Sequence, residues 1–256
     1  MEYMTDPKPA GIEHEPRIVD EVVVLDLDRT LLDSSVVTQL VLRSMAKRGV
    51  STDRINDAIA YVEAQAGNSF HLFDYIEREF SFSTLDTIVD ELMQDEALLQ
   101  EMKDELLCPG ADLLVYALEE QGTPAMVLTY GEQNYQSFKI DLFRKLIGKT
   151  NKDLPGMVTH VANKSKWVEE NWFTRADMLG EVPITISNAP LLTRIVSIVD
   201  DKVINLQSSD ERVAGVLVHN HTPPTPGVIS TRELAEAVAS GIRVYEIGSE
   251  YEERVS

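Results

Sequence analysis

Two carboxylates directly follow an apolar run near the start of the chain. Val22 to Leu25 are apolar, and Asp26 and Asp28 come next within the segment EVVVLDLDRTLLDSS. A buried carboxylate costs free energy unless a cation pairs with it. The pair therefore belongs either to a surface turn or to the floor of a site that holds positive charge.

Three later strand-like segments, PAMVLTYG, GMVTHVANKSK and RIVSIVDD, also lead into polar residues. These residues are a hydroxyl with a neighbouring phenol, two ammonium groups and two carboxylates: Thr129, Tyr130, Lys164, Lys166, Asp200 and Asp201. In an open parallel sheet, ligands bind at the carboxyl ends of the strands. The sequence therefore predicts that these side chains and the first acidic pair meet at one rim of a sheet.

The chemistry of this set suits phosphoryl transfer. A carboxylate can attack phosphorus and form an aspartyl-phosphate, provided that Mg²⁺ bound by carboxylates neutralises the charge. A hydroxyl and N–H groups at a helix N-terminus can hold the non-bridging phosphoryl oxygens. A lysine balances the carboxylates and stabilises the transferring group. We therefore predict Mg²⁺ as the cofactor.

The segment between the first acidic pair and the other motifs has a helical pattern. From residue 36 to residue 107, apolar residues recur at three- and four-residue intervals, which predicts about four helices. From residue 108 onward, helices alternate with short Val/Ile/Leu-rich strands, as is typical of a parallel sheet covered on both faces. The predicted helices are 111–121, 135–148, 166–176 and 230–240, and the predicted strands are 124–130, 156–162, 194–200, 214–220 and 242–247.

The simplest architecture that fits this order of elements is a doubly wound, Rossmann-like α/β core with an α-helical cap domain inserted after its first strand. We expect residues 1–17 to form a mobile tail. The catalytic core is predicted over 18–33 and 108–256, and the helical cap over 34–107.

The order of the motifs resembles the haloacid dehalogenase-like hydrolase superfamily, and the likeness extends over nearly the whole chain from Val22. DLDRT, LTYGEQ, VANKSKWV and IVDDKVINL stand where that superfamily keeps its four motifs. The resemblance implies that Asp26 attacks phosphorus and binds magnesium. It implies that Asp28 protonates the leaving group, then activates water, and supplies a backbone carbonyl to the metal.

The second and third motifs imply the phosphate-binding residues. By the same resemblance, Thr129 binds the phosphoryl oxygens, with Tyr130 beside it. Lys164 fits the third motif because it directly follows the strand-like segment, and Lys166 is the alternative.

The fourth motif implies the remaining metal ligands. Asp201 is expected to bind magnesium directly and Asp200 through water, with Asn205 as supporting structure. Arg29 departs from the resemblance, because relatives often carry Gly or Asp there, and it could contact substrate or face solvent. The presence of Asp28 argues against dehalogenation, since relatives that remove halide from carbon lack this acid/base.

The composition limits the partners. The chain has 256 residues, with 43 Asp and Glu against 23 Lys and Arg and a formal net charge of -20. This charge repels nucleic acid and anionic membranes, so we expect a small phosphorylated metabolite as substrate. The oligomeric state stays open.

Other features bear on the compartment. Cys108 is the only cysteine, which excludes a disulfide within the chain and is compatible with a reducing compartment. No apolar run approaches the roughly 18 residues of a membrane span, and the N-terminal segment lacks the apolar centre of a signal peptide. These features predict a cytoplasmic protein.

The sequence thus predicts a Mg²⁺-dependent phosphomonoester hydrolase that works through an aspartyl-phosphate. A phosphotransferase or phosphomutase of the same superfamily stays open, as does a catalytically idle relative that binds a phosphorylated ligand. A response-regulator receiver module is disfavoured, since its acidic pair precedes its phosphorylated Asp, and its chain is about half as long with no cap.

Overall fold

A computed structural model of the chain describes residues 18–64, 72–80, 82–168, 181–186, 189–206, 213–220 and 228–247. The strands are β1 (Ile18–Leu25), β2 (Ala125–Tyr130), β3 (Gly156–Thr159), β4 (Glu181–Ile186), β5 (Ala189–Asp200) and β6 (Ala214–Leu217). The helices are α1 (Ser34–Lys47), α2 (Thr52–Ala64), α3 (Leu72–Glu79), α4 (Phe82–Gln94), α5 (Glu96–Leu106), α6 (Ala111–Glu120), α7 (Gln133–Ile147), α8 (Lys164–Val168) and α9 (Thr231–Ala239), and a 3₁₀ turn spans Val203–Asn205.

The strands form one mixed six-stranded sheet. Parallel pairing runs in the order β3-β2-β1-β5, and β5 also pairs with β6 in parallel and with β4 antiparallel. The chain runs outward from β1 to β3 and then crosses to the other side of β1. The strand order therefore reverses beside β1, which is where open α/β sheets bind ligands. The predicted α/β fold with a doubly wound parallel sheet is confirmed.

Residues 22–25 of β1 are buried, and their side chains alternate between two layers. Val23 and Leu25 belong to the larger apolar cluster, while Val22 and Val24 belong to a second cluster on the opposite face. This explains why the run before the acidic pair is continuously apolar. A strand covered on both sides also carries its last residue, and the carboxylate that follows, into a buried position.

The region predicted to hold about four helices contains five described helices, α1 to α5. The last helical segment of that region, predicted over residues 85–107, divides at Asp95. The Asp95 carboxylate accepts a hydrogen bond from the Leu98 backbone N–H at 3.0 Å and caps α5. The helices pack on one another, and α3 and α5 also contact α7. The division of the chain into a core and a cap domain stays a prediction.

The predicted strand over residues 242–247 is wrong, since residues 244–247 form a helical turn. Arg243 ties this segment to the end of α6, because its guanidinium donates to the Gln121 carbonyl and to Thr123 Oγ1. Glu246 accepts from the Arg243 backbone N–H at 3.2 Å, which favours a turn over an extended strand.

The antiparallel strand β4 was not predicted, and two predicted strands are shorter than expected. β3 ends at Thr159 and β6 at Leu217. The predicted helix over 166–176 is described only as far as Val168, where α8 ends, and the predicted tail over 1–17 lies outside the described residues. Among the helices that the structure describes, none has the length and apolar character needed to cross a membrane.

Candidate active site

A buried lysine lies between two buried carboxylates at the carboxyl ends of β1 and β5. Asp26 follows β1 directly, and its backbone N–H donates to the Val199 carbonyl of β5 at 2.8 Å. The ammonium of Lys164, at the start of α8, donates to Asp26 Oδ1 and, at 2.6 Å, to Asp200 Oδ2. All three side chains are at most 5% exposed. The cation offsets the burial cost of the acidic groups.

Asn205 fixes the Asp200 carboxylate from the other side. Its amide Nδ2 lies 2.9 Å from both Asp200 oxygens. The backbone N–H of Lys202 also donates to Asp200 Oδ1 at 2.9 Å. The hydroxyl of Ser165 donates to the Asn205 carbonyl, so the start of α8 and the loop after β5 hold each other in place.

Three carboxylates of this rim can converge on one cation. Asp26, Asp200 and Asp201 each offer an oxygen, and these oxygens lie within 4.8 Å of one another. Lys164 contacts Asp26 and Asp200 and contributes one positive charge. The three carboxylates together with Lys164 therefore carry a net negative charge when all three are ionised. Oxygen donors with excess negative charge fit Mg²⁺ or Ca²⁺ rather than a soft metal.

The pKa values in this cluster reflect the crowding of charge. Burial and the Asp200 carboxylate raise the pKa of Asp26 to about 8, although Lys164 acts in the opposite direction. Burial and Asp200 also raise the pKa of Asp201. Burial alone would lower the pKa of Lys164, but Asp26 and Asp200 outweigh it and raise that pKa. The lysine is therefore a permanent cation.

Asp28 has a different environment, in which every hydrogen-bonding partner is a donor. Its carboxylate accepts from the Ser34 hydroxyl, from the Lys139 ammonium, and from Gln136 Nε2 at 3.2 Å. Burial by itself raises the pKa of Asp28, but Lys139, with the Ser34 and Gln136 hydrogen bonds, outweighs it and lowers the pKa to about 2. The Asp28 side chain remains 29% exposed, so the carboxylate keeps an open side.

Thr129 is buried at the end of β2 and is connected to Asp28 through one side chain. Its hydroxyl donates to Gln136 Oε1 at 3.0 Å. Gln136 Nε2 in turn donates to the Tyr130 carbonyl at 3.0 Å as well as to Asp28. The predicted phosphate-binding hydroxyl and the predicted acid/base therefore share a single amide.

The structure brings Asp26, Asp200 and Lys164 into direct contact and places Asp201 beside them. Lys166 lies on an exposed face of α8, and its backbone N–H donates to Asn163 Oδ1. Of the two predicted lysines, Lys164 is therefore the one within the carboxylate cluster.

Arg29 is exposed and adopts a φ of 66°, a left-handed conformation that is uncommon for residues other than glycine. Its carbonyl accepts from Asn220 Nδ2 at 2.7 Å. This contact holds the loop after β1 against the segment that follows β6.

Sequence reasoning missed four polar residues of the site: Thr30, Ser34, Gln136 and Lys139. Thr30 Oγ1 lies 3.4 Å from Asp26 Oδ2. The detectable signal was in α7, where Gln136 and Lys139 are three residues apart and flanked by apolar residues. Residues at that spacing share one helix face, so a buried polar pair could have been inferred.

No protein-family model matches the chain, and the comparison with curated proteins finds no match. Among solved structures, a protein assigned as a haloacid dehalogenase-like hydrolase from Burkholderia xenovorans is 18% identical, with a TM-score of 0.45 over 86% of this chain and 97% of that chain. CbbY from Rhodobacter sphaeroides, in complex with phosphate, is 13% identical, with a TM-score of 0.44 over 84% and 96% of the two chains.

A protein assigned as a β-phosphoglucomutase from Thermotoga maritima is also 13% identical, with a TM-score of 0.45 over 87% of this chain and 100% of that chain. Proteins assigned as haloacid dehalogenase-like hydrolases are thus among the solved structures that resemble this chain.

Proposed function

We propose that the chain is a Mg²⁺-dependent phosphomonoester hydrolase that acts on a small phosphorylated metabolite through an aspartyl-phosphate. The observation that carries the proposal is the convergence of Asp26, Asp200 and Asp201 at the rim beside β1, where Lys164 contacts the first two. This set combines a carboxylate nucleophile, oxygen ligands for a hard cation and a fixed positive charge. The net charge of -20 favours a small substrate over a polyanionic polymer.

The metal would be held by the carboxylates of Asp26 and Asp201, by Asp200 through water, and by the backbone carbonyl of Asp28. When bound, Mg²⁺ supplies charge neutralisation for the phosphoryl oxygens and for the attacking carboxylate. Lys164 complements it as the fixed cation next to the nucleophile. Thr129 binds a phosphoryl oxygen at the end of β2, with Tyr130 beside it.

In the first step, an oxygen of Asp26 bonds to phosphorus and the bond between phosphorus and the leaving-group oxygen breaks. Asp28 passes a proton to the leaving-group oxygen. Because, despite burial, Lys139, Ser34 and Gln136 hold the pKa of Asp28 at about 2, that proton reaches Asp28 from solvent on its exposed side as the bond breaks. In the second step, water attacks phosphorus and gives a proton to Asp28, and the bond to Asp26 breaks. The products are inorganic phosphate and the dephosphorylated alcohol. Asp28 then releases its proton to solvent, and both aspartates are back in their starting state.

A phosphotransferase or phosphomutase is the second candidate. The Asp28 side chain is 29% exposed, so its open side can receive the hydroxyl of an acceptor as well as water. The acceptor hydroxyl would then take the place of water in the second step. Partitioning of labelled phosphate between water and an added sugar phosphate distinguishes the two activities.

The test is release of inorganic phosphate from 4-nitrophenyl phosphate and from a panel of phosphorylated metabolites, with Mg²⁺ and with EDTA. We expect turnover only with Mg²⁺ and none with Asp26→Asn. Lys164→Met should lower kcat by about 10²–10³-fold, as expected when a preorganised charge is removed from a transition state. Lys166→Met is the matched control, and it should match the wild type. An Asp26→Asn variant that retains the wild-type rate would overturn the proposal.

A further inference from the structure

The amide of Gln136 has only one orientation that satisfies its partners. Two of its contacts, Asp28 Oδ2 and the Tyr130 carbonyl, are with groups that only accept hydrogen bonds. The amide nitrogen must therefore face them, because an amide oxygen in that position would oppose two acceptors. The remaining atom, Oε1, faces the Thr129 hydroxyl at 3.0 Å.

This orientation fixes the direction of the Thr129 hydroxyl. A hydroxyl carries a single proton, and Gln136 Oε1 can only accept, so that proton points toward Gln136. A phosphoryl oxygen is also an acceptor. It can receive a hydrogen bond from Thr129 only if the bond between Thr129 and Gln136 breaks.

The backbone at Gly131 leaves room for the Gln136 amide. Gly131 has a φ of 148°, a conformation that favours glycine, and a Cβ built there would lie 2.7 Å from Gln136 Nε2. Any larger residue at 131 would collide with the amide. The close approach of Gln136 to the loop after β2 therefore depends on Gly131.

We propose that Gln136 is a positioning residue that holds the Thr129 hydroxyl away from the phosphoryl group and so weakens the binding of phosphate. The inference rests on the proposed function, in which Thr129 contacts the phosphoryl group. Each phosphate that binds must exchange the bond between Thr129 and Gln136 for a new one. The re-formation of that bond as phosphate leaves favours product release.

The experiment measures the affinity for inorganic phosphate by calorimetry in the presence of Mg²⁺. Gln136→Met keeps the length of the side chain but removes the acceptor, so the Thr129 hydroxyl becomes available to phosphate. We expect phosphate to bind about three- to tenfold more tightly, as for one neutral hydrogen bond, and to inhibit turnover as a product at correspondingly lower concentration. A purely structural loss would weaken binding and lower kcat instead.

Three variants make the result specific. In a Thr129→Val background, Gln136→Met should no longer change the affinity for phosphate. Gln136→Glu keeps an acceptor for Thr129 and adds a negative charge, so it should weaken binding. Gln133→Met, on an exposed position of the same helix, should match the wild type.

Should Gln136→Met not fold by circular dichroism, Gln136→Ala tests the same contact by removing the amide, and tighter phosphate binding is again expected. A folded Gln136→Met protein with unchanged or weaker phosphate affinity would overturn the inference while leaving turnover, and thus the proposed function, intact. A wild type that neither hydrolyses phosphomonoesters nor binds phosphate would overturn both.

Discussion

The carboxyl group of Asp26 is predicted to give up a proton when a metal binds. Burial and Asp200 raise its pKa to about 8 despite the opposing effect of Lys164, and metal ligation requires the ionised carboxylate. Below that pKa, Mg²⁺ must displace the proton. The apparent affinity for Mg²⁺ should therefore rise about tenfold per pH unit toward pH 8 and level off above it.

Calorimetry in buffers with different ionisation enthalpies measures the proton release directly. At pH 7 we expect close to one proton for each Mg²⁺ bound, and fewer at pH 9. Asp26→Asn is the control, since an amide has no proton to lose, and the steep pH dependence should vanish along with much of the affinity. Equal Mg²⁺ affinity at pH 6 and pH 8 in the wild type would contradict the assignment of Asp26 as a ligand.

The residues of the site differ in how far the sequence predicts them. Lys164 contacts Asp26 across 138 positions of the chain, yet it follows a strand, and strand ends in a parallel sheet meet at one rim. Lys139 reaches Asp28 across 111 positions from the middle of α7. Its proximity depends on how that helix docks, and neither spacing nor strand order determines docking.

At the scale of elements, the cap of α5 is predicted to contribute measurably to stability. Asp95 accepts a hydrogen bond from the Leu98 backbone N–H, which would otherwise lack a partner within the helix. Asp95→Ala should lower the free energy of unfolding by about 1 kcal/mol, measured by urea denaturation. Asp104→Ala is the matched control within α5, where alanine has the higher helix propensity and no loss is expected. Equal midpoints for Asp95→Ala and the wild type would contradict the capping role.

The capping of α5 by Asp95 also shows why the spacing of apolar residues did not predict the boundary between α4 and α5. The apolar spacing of residues 85–107 continues from α4 into α5, so periodicity alone suggests one long helix, and only the capping preference of Asp95 marks the boundary. For β4, the signal was a run rich in β-branched residues, at positions 182–186, shortly before the predicted strand. The apolar run over residues 242–247 has strand-like composition, but its contacts with the end of α6 decide its conformation.

At the scale of the whole molecule, the net charge of -20 acts against the compact state. Like charges on a folded chain repel one another, and salt weakens this repulsion because the Debye length falls from about 10 Å at 0.1 M to about 3 Å at 1 M. We therefore expect Tm to rise as NaCl is added. Each kcal/mol gained corresponds to about 2–4 °C for a chain of this size.

The effect of Mg²⁺ on Tm should differ from the effect of ionic strength alone. Millimolar MgCl₂ stabilises the folded state by binding to the carboxylate cluster, whereas NaCl of equal ionic strength only screens. We expect the wild type to gain more Tm from MgCl₂ than from matched NaCl, measured by differential scanning calorimetry. Asp26→Asn should lose most of that difference and keep the response to NaCl, because it removes one ligand and leaves the overall charge nearly unchanged. If both salts raise Tm equally in the wild type, Mg²⁺ acts only through ionic strength and the cluster is not a metal site.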